Sequence, residues 1–251
     1  MSYNFNDKVV LVTGGNSGIG LACVKKFMDL GANVIATGRR AITELSRLTP
    51  EEISLLKKVD YRVCNVAEQD EQDKLFAHIT SHYDKLNVAI NNAGITGVQG
   101  KKISECSIDE YNEVMDINVR GVWLSMQHEL RIMRKQQYGA IVNLSSVAGL
   151  KGSMVSALYA MSKFAVNGLT RTAALENANM GIRVNSVCPG AIETPIFETV
   201  GNELKQRLVN TIPMGRIGEP AETANYIAWL TSDEASFMTG TCVAVDGGVM
   251  A

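Results

Sequence analysis

Residues 8–13 (KVVLVT) pass without a break into Gly14-Gly15-Asn16-Ser17-Gly18-Ile19-Gly20 and then into a helical pattern over 21–30. No other stretch narrows the possible folds so far. A short apolar, β-branched run is what a parallel strand buried on both faces requires. A strand that feeds a glycine loop at the start of a helix is the setting of a dinucleotide-binding turn. Gly14 permits the tight turn, Gly18 lets backbone approach a pyrophosphate, and Gly20 lets helix and strand pack closely, with the phosphates meeting the helix N-terminus. The spacing is G-x-x-x-G-x-G rather than G-x-G-x-x-G.

A second strand over 33–37 ends in Gly38-Arg39-Arg40. NAD sites place a carboxylate about 20 residues past the loop, to hold the adenosine ribose hydroxyls. Here that place is Gly38. Without the carboxylate nothing repels a 2′-phosphate, and a guanidinium can grip one bidentately. Arg39 and Arg40 are thus either a 2′-phosphate grip, which favours NADP(H) with NAD(H) still admissible, or a solvated basic turn.

The rest of the chain alternates. Strand-like runs lie at 61–64, 86–90, 140–144, 182–188 and 241–245, and helical patterns at 45–58, 68–83, 108–134, 154–180 and 220–231. No Pro/Gly-rich linker and no internal repeat interrupts them. This predicts one α/β domain over 1–251, a Rossmann-type doubly wound parallel sheet with helices on both faces. Right-handed crossovers put the strand C-termini on one edge, gathering Gly14, Arg39, Asn91, Ser146 and Pro189 there. Beyond the last of these, 197–212 alternates apolar and charged residues and reads as a flap around 195–212, with Ile196, Phe197, Leu204 and Leu208 as an apolar lining.

Within the edge loops and the helix over 154–180, Tyr159 and Lys163 are four apart, and Ser146 stands thirteen residues before the tyrosine. An i, i+4 pair shares a helix face, about 6 Å apart along the axis. Alone, such a pair is usually a surface contact. Beside a nucleotide loop it has a chemical use, because an ammonium near a phenol favours the phenolate. Bringing a phenol from about 10 to near neutrality takes roughly 4 kcal/mol, which demands a fixed, partly desolvated cation. Ser146, after the run 140–144, sits at a strand end where its hydroxyl can point into a crevice.

Composition removes other classes. With 24 basic and 26 acidic residues, the chain carries no charge excess suited to nucleic acid or to an anionic membrane. Its first residues, MSYNFNDK, hold no apolar run of signal-peptide length, and no stretch approaches the roughly 20 apolar residues of a membrane span. The five cysteines (Cys23, Cys64, Cys106, Cys188, Cys242) have no metal-ligand spacing and read as core filler in a reducing, cytoplasmic setting. His78, His82 and His128 read as solvated, with no metal site.

Taken together these motifs resemble the short-chain dehydrogenase/reductase family, in its roughly 250-residue form, over nearly the whole chain. Thr13-Gly14-x-x-x-Gly18-Ile19-Gly20, with Asn16 and Ser17 inside it, is similar to the family's cofactor loop, and Asn91-Asn92-Ala93-Gly94 to its central strand-end motif. The resemblance implies a catalytic tetrad of Asn118, Ser146, Tyr159 and Lys163. It assigns Pro189, Gly190, Ile192 and Thr194 to the turn that holds the nicotinamide, and Asn65-Val66, where the family often has Asp-Val, to the adenine. Ser17 stands where NADP-preferring members often carry a basic residue. In the implied mechanism Tyr159 is the acid in reduction and the base in oxidation. Lys163 lowers its pKa and binds the nicotinamide ribose, Ser146 hydrogen-bonds the substrate oxygen, and Asn118 holds a water for proton return.

The expected activity is hydride transfer between a nicotinamide cofactor and a small carbonyl or secondary-alcohol substrate. Two rivals stand beside it. One is a 3-oxoacyl-[acyl-carrier-protein] reductase, whose acidic carrier should want basic residues at the crevice mouth. The positions inspected for them hold Gln137-Tyr138 and Met180. The other is a catalytically silent nucleotide-sensing protein, which would have no need of Tyr159 with Lys163. The resemblance further implies a homotetramer. Met126, Leu130, Leu169 and Ala173 are the candidate intersubunit positions on the two long helices.

Overall fold

The structure, a computed structural model, describes residues 3–153, 156–195, 206 and 209–251. Seven strands form one parallel sheet: β1 (Val9–Thr13), β2 (Asn33–Gly38), β3 (Asp60–Val63), β4 (Val88–Asn91), β5 (Gly139–Leu144), β6 (Ile182–Pro189) and β7 (Cys242–Val245). Their order is β3-β2-β1-β4-β5-β6-β7, so the direction of winding reverses between β1 and β4. Strand periodicity divides the core between two layers. Val10 and Val12 of β1 point into one cluster with Phe27 and Ile227, while Val9 and Leu11 point into the other with Phe76 and Met133. That is why the strands read as unbroken apolar runs.

The α-helices that can be bounded among the described residues are α1 (Gly18–Asp29), α2 (Pro50–Leu56), α3 (Gln69–Tyr83), α4 (Ile108–Met115), α5 (Gly121–Gln136), α6 (Ala157–Asn177) and α7 (Pro220–Thr231). Two differ from the sequence expectation in an instructive way. The pattern over 45–58 shrinks to α2, because Pro50 lacks an N–H and is suited to a first helical position, where Thr49 and Glu52 close a reciprocal capping box. The helical pattern expected over 108–134, with interruptions at Asn118 and Gly121, resolves into α4 and α5 separated by a π-helical turn, Asp116–Arg120, that holds Asn118 and ends at Gly121. The long helix expected from residue 154 runs as α6 and closes in a 3₁₀ turn, Ala178–Met180. Residue 154 itself, and all but a few residues of the expected flap (Ile196, Phe197, Leu204 and Leu208 among them), lie outside the described residues. No helix among the described residues is long and apolar enough to cross a membrane.

Candidate active site

The strand order reverses between β1 and β4, and the strand ends beside such a switch are where ligands of open α/β sheets bind in a crevice. Gly14 (φ 64°) and Gly18 (φ 51°) lie in the left-handed region that favours glycine. A Cβ on Gly14 would come 3.0 Å from Ala93 Cα, and one on Gly20 would strike the Gly14 carbonyl. The loops after β1 and β4 are tied together. Asn92 Nδ2 donates to the Thr13 and Gly14 carbonyls at 3.0 Å each, and Thr13 Oγ1 accepts from the N–H groups of Asn92 (3.1 Å) and Ala93 (3.2 Å). Ser17 caps α1 in an extended conformation without a side-chain hydrogen bond, so its hydroxyl leaves the first-turn N–H groups, including those of Gly18 and Ile19, open to a phosphate. The chain's own residues therefore fit a dinucleotide.

The adenosine side is built by β2 and β3. Arg39 and Arg40 are exposed just past the buried Gly38. Asn65 is occupied locally: its N–H donates to Glu71 Oε2 at 2.6 Å and its Oδ1 accepts from the Ala67 N–H at 3.3 Å. Val66 turns inward, its Cγ2 lying 2.9 Å from where a Gly121 Cβ would be. The Val66 carbonyl accepts from Gln72 Nε2, so it too is engaged within the fold.

Ser146, Tyr159 and Lys163 do converge. Ser146 follows β5 and caps a short 3₁₀ turn, its Oγ accepting from the Ala148 N–H at 3.1 Å, and its hydroxyl stands near enough to the Tyr159 phenol to pull that group's pKa down. Ser156 caps α6 by accepting from the Tyr159 N–H at 3.4 Å, which fixes where the helix begins and hence where Tyr159 points. Lys163 is buried; its Nζ donates to the Leu144 carbonyl at 2.7 Å and lies 5.5 Å from the Tyr159 ring centroid. Desolvation lowers its pKa to about 8. The expected depression of Tyr159 is not what this geometry gives. Burial raises the phenol above its ordinary value, and the nearby Ser146 hydroxyl only partly opposes this, so the phenol is neutral.

Asn118 lies in the π-helical turn, fully buried. Its Oδ1 accepts from the Ile95 N–H at 2.9 Å, and its Nδ2 donates to the Ile95 carbonyl at 2.8 Å and to Ser162 Oγ at 3.0 Å. Both amide donors are spent. One acceptor lone pair of Oδ1 remains, on the side where a Cβ at Gly94 would sit 3.2 Å from Oδ1 and 3.6 Å from Lys163 Nζ.

The turn after β6 closes the crevice from the far side. The Gly190 N–H donates to the Val245 carbonyl at 3.0 Å, and a Cβ there would meet Asp246 Cα at 2.9 Å. Ile192, just past Pro189, bridges to Gly218. Thr194 reaches the phosphate loop, its Cγ2 lying 3.0 Å from where a Gly18 Cβ would be.

Several sequence expectations need correction. Asn91 ends β4 but its side chain is buried beneath the crevice, with Nδ2 donating to Glu129 Oε2 (3.1 Å) and Asn143 Oδ1 (2.9 Å). Asn143 in turn donates to Thr170 Oγ1 at 2.9 Å, completing a buried polar ladder that ties α5 and α6 to the sheet. Burial pushes the Glu129 carboxyl up to about 8. Nothing in the pattern of α5 singled out this acid. Among the histidines, His78 pairs with Asp60 at 2.7 Å and stacks on His82, and His128 pairs with Asp73 at 3.1 Å and stacks on Phe76, so both rings are largely covered rather than solvated. Gln137-Tyr138 and Met180 precede β5 and β6, so in one chain they lie at the edge opposite the crevice and say nothing about its mouth. Met126 and Ala173 belong to the core, and the apolar side chains that face outward on α5 and α6 are Trp123, Met161, Phe164 and Leu175.

Comparison with known proteins agrees with this geometry. The family described as enoyl-(acyl carrier protein) reductase matches residues 14–250. The chain is 39% identical over 243 residues to a 3-oxoacyl-[acyl-carrier-protein] reductase FabG of Thermotoga maritima, covering 97% of this chain and 98% of that one. It is 37% identical over 247 residues to a cyclohexanol dehydrogenase of Acinetobacter sp., covering 98% and 96%. A solved structure of levodione reductase superposes with a TM-score of 0.87 at 33% identity, over 98% of each chain. A Rossmann sheet with a glycine loop at its switch point, matched along almost its full length by such relatives, has one reading: the chain belongs to the short-chain dehydrogenase/reductase family of oxidoreductases.

Proposed function

We propose that the chain is an NADP(H)-preferring carbonyl reductase or secondary-alcohol dehydrogenase, with Asn118, Ser146, Tyr159 and Lys163 as its catalytic group. What supports this is the convergence of Ser146 and the Tyr159 phenol with a buried Lys163, whose Nζ lies 5.5 Å from the phenol ring centroid. The nicotinamide cofactor, when bound, supplies or accepts the hydride. Tyr159, neutral in its buried site, gives its proton to the substrate oxygen, and Ser146 donates to the same oxygen where charge develops. Lys163 is placed to offer its charge to the phenolate left behind, and the remaining Asn118 lone pair can hold a water between Lys163 and solvent. Gly14, Asn16, Ser17, Gly18, Ile19 and Gly20 receive the pyrophosphate. Arg39 and Arg40 take the 2′-phosphate, Asn65, Val66, Asn92, Ala93 and Gly94 border the adenosine and ribose, and Pro189, Gly190, Ile192 and Thr194 close on the nicotinamide. The exposed Trp123, Met161, Phe164 and Leu175 support a homo-oligomer, a homotetramer in our reading, and five free cysteines suit the cytoplasm.

The test is turnover of purified protein with NADPH and with NADH against a panel of ketones and secondary alcohols. No turnover with any of them, despite bound cofactor, would favour the sensor reading. A second reading has a specific support in the 39% identity to a 3-oxoacyl-[acyl-carrier-protein] reductase. Reduction of a 3-oxoacyl thioester at least tenfold faster on its carrier protein than as a free small thioester would select it.

A further inference from the structure

Tyr61 is unused by the site as described so far. It stands at the start of β3, paired in register with Ala36 of β2, and its ring is half-buried against the core. Its hydroxyl reaches across the end of β2 and makes two bonds. It donates to the Arg40 carbonyl at 2.8 Å and accepts from Asn16 Nδ2 at 3.3 Å. One phenol thus joins three segments: the glycine loop, the arginine turn and β3.

The same hydroxyl occupies the space beside Gly38. A Cβ on Gly38 would run into the Tyr61 oxygen and come 2.6 Å from Asn16 Nδ2. Residue 38 is therefore a glycine for want of room. No carboxylate can grow from the end of β2 while Tyr61 keeps its place, and it is a carboxylate there that would hold a free ribose diol and repel a 2′-phosphate. The charge of Arg40 is felt at the phenol, where it works against the rise that burial causes, so this guanidinium stands near the same spot.

We infer that Tyr61 is a positioning residue for cofactor choice, which excludes an acidic side chain from position 38 and clamps the Arg39–Arg40 turn where a 2′-phosphate would lie. This rests on the NADP(H) reading given above. It adds a residue that acts through the Arg40 backbone and Asn16 rather than by touching the phosphate.

The experiment uses two fragments that report the adenosine end alone, 2′,5′-ADP and 5′-AMP, titrated calorimetrically into the full chain and its Tyr61→Phe variant. The variant removes one oxygen and keeps the ring in the core. Loss of a hydrogen bond of ordinary strength predicts 2′,5′-ADP binding weakened by roughly tenfold, with 5′-AMP binding changed less than about twofold. Equal loss for both fragments would make Tyr61 a merely structural residue and overturn the proposal. Unchanged binding of both by the variant, with the parent preferring 2′,5′-ADP, would overturn it while leaving the cofactor reading intact. A parent that binds 2′,5′-ADP no more tightly than 5′-AMP would refute the cofactor reading and this inference with it.

Discussion

Lys163 gives its ammonium to the Leu144 carbonyl at 2.7 Å, one strand end away from the phenol it is expected to serve. The charge is held by a backbone dipole in a desolvated place, and its pKa falls from 10.5 to about 8. Because the folded value is the lower one, stability from this group is lost as pH falls and regained as pH rises from about 8 to 10.5. At neutral pH the buried charge costs on the order of 3 kcal/mol. Lys163→Met should therefore lose activity yet resist denaturant better than the parent at pH 7. The stability gap should narrow above pH 8, and a gap that does not change with pH refutes the assignment.

Tyr159→Phe should keep the fold and cofactor affinity while turnover falls by about 10²–10⁴. Removing the phenol oxygen takes away the proton that the proposed mechanism gives to the substrate oxygen. Single-turnover kinetics with saturating cofactor make the measurement, and a kcat within threefold of the parent would contradict it.

Glu129 behaves in the opposite sense to Lys163. Its folded pKa is raised from 4.5 to about 8, so its stabilising contribution is complete below 4.5 and lost as pH climbs to about 8. Glu129→Gln keeps an acceptor for Asn91 and removes the ionisation. The parent should lose stability between pH 5 and 8 relative to the variant, by up to about 5 kcal/mol. Parallel pH profiles of the two unfolding midpoints would show that this acid is not buried neutral.

A cofactor swap by Gly38→Asp with Arg39→Ile looks sufficient on the sequence. The structure makes it insufficient, since the new Cβ meets the Tyr61 oxygen. The double variant should be destabilised by about 1–3 kcal/mol, as overpacking is. Adding Tyr61→Phe, which removes the clashing oxygen and keeps the ring in the core, should restore stability and shift kcat/KM toward NADH. A stable double variant with reversed preference would show that Tyr61 yields easily.

Local chemistry made much of this legible in advance. The apolar runs gave the strands, the glycines gave the first turn, and the spacing of Tyr159 and Lys163 gave their shared helix face. What stayed hidden depends on residues far apart in the chain. The interruption at Asn118 is legible in the pattern, but its π-helical form is not, because it is held from outside by Asn118 pairing with the backbone of Ile95. The environment that raises the Tyr159 pKa is built by burial, which no spacing reports. Tyr61 lies 23 residues beyond Gly38 in sequence, yet it decides what that position can hold.

The methyl of Thr194 against Gly18 gives the cradle a mechanical property. The segment assigned to the nicotinamide fills the space that a side chain at residue 18, in the segment assigned to the pyrophosphate, would need. Glycine alone lets the two segments sit this close, so any larger residue at position 18 would press the two ends of the proposed groove apart.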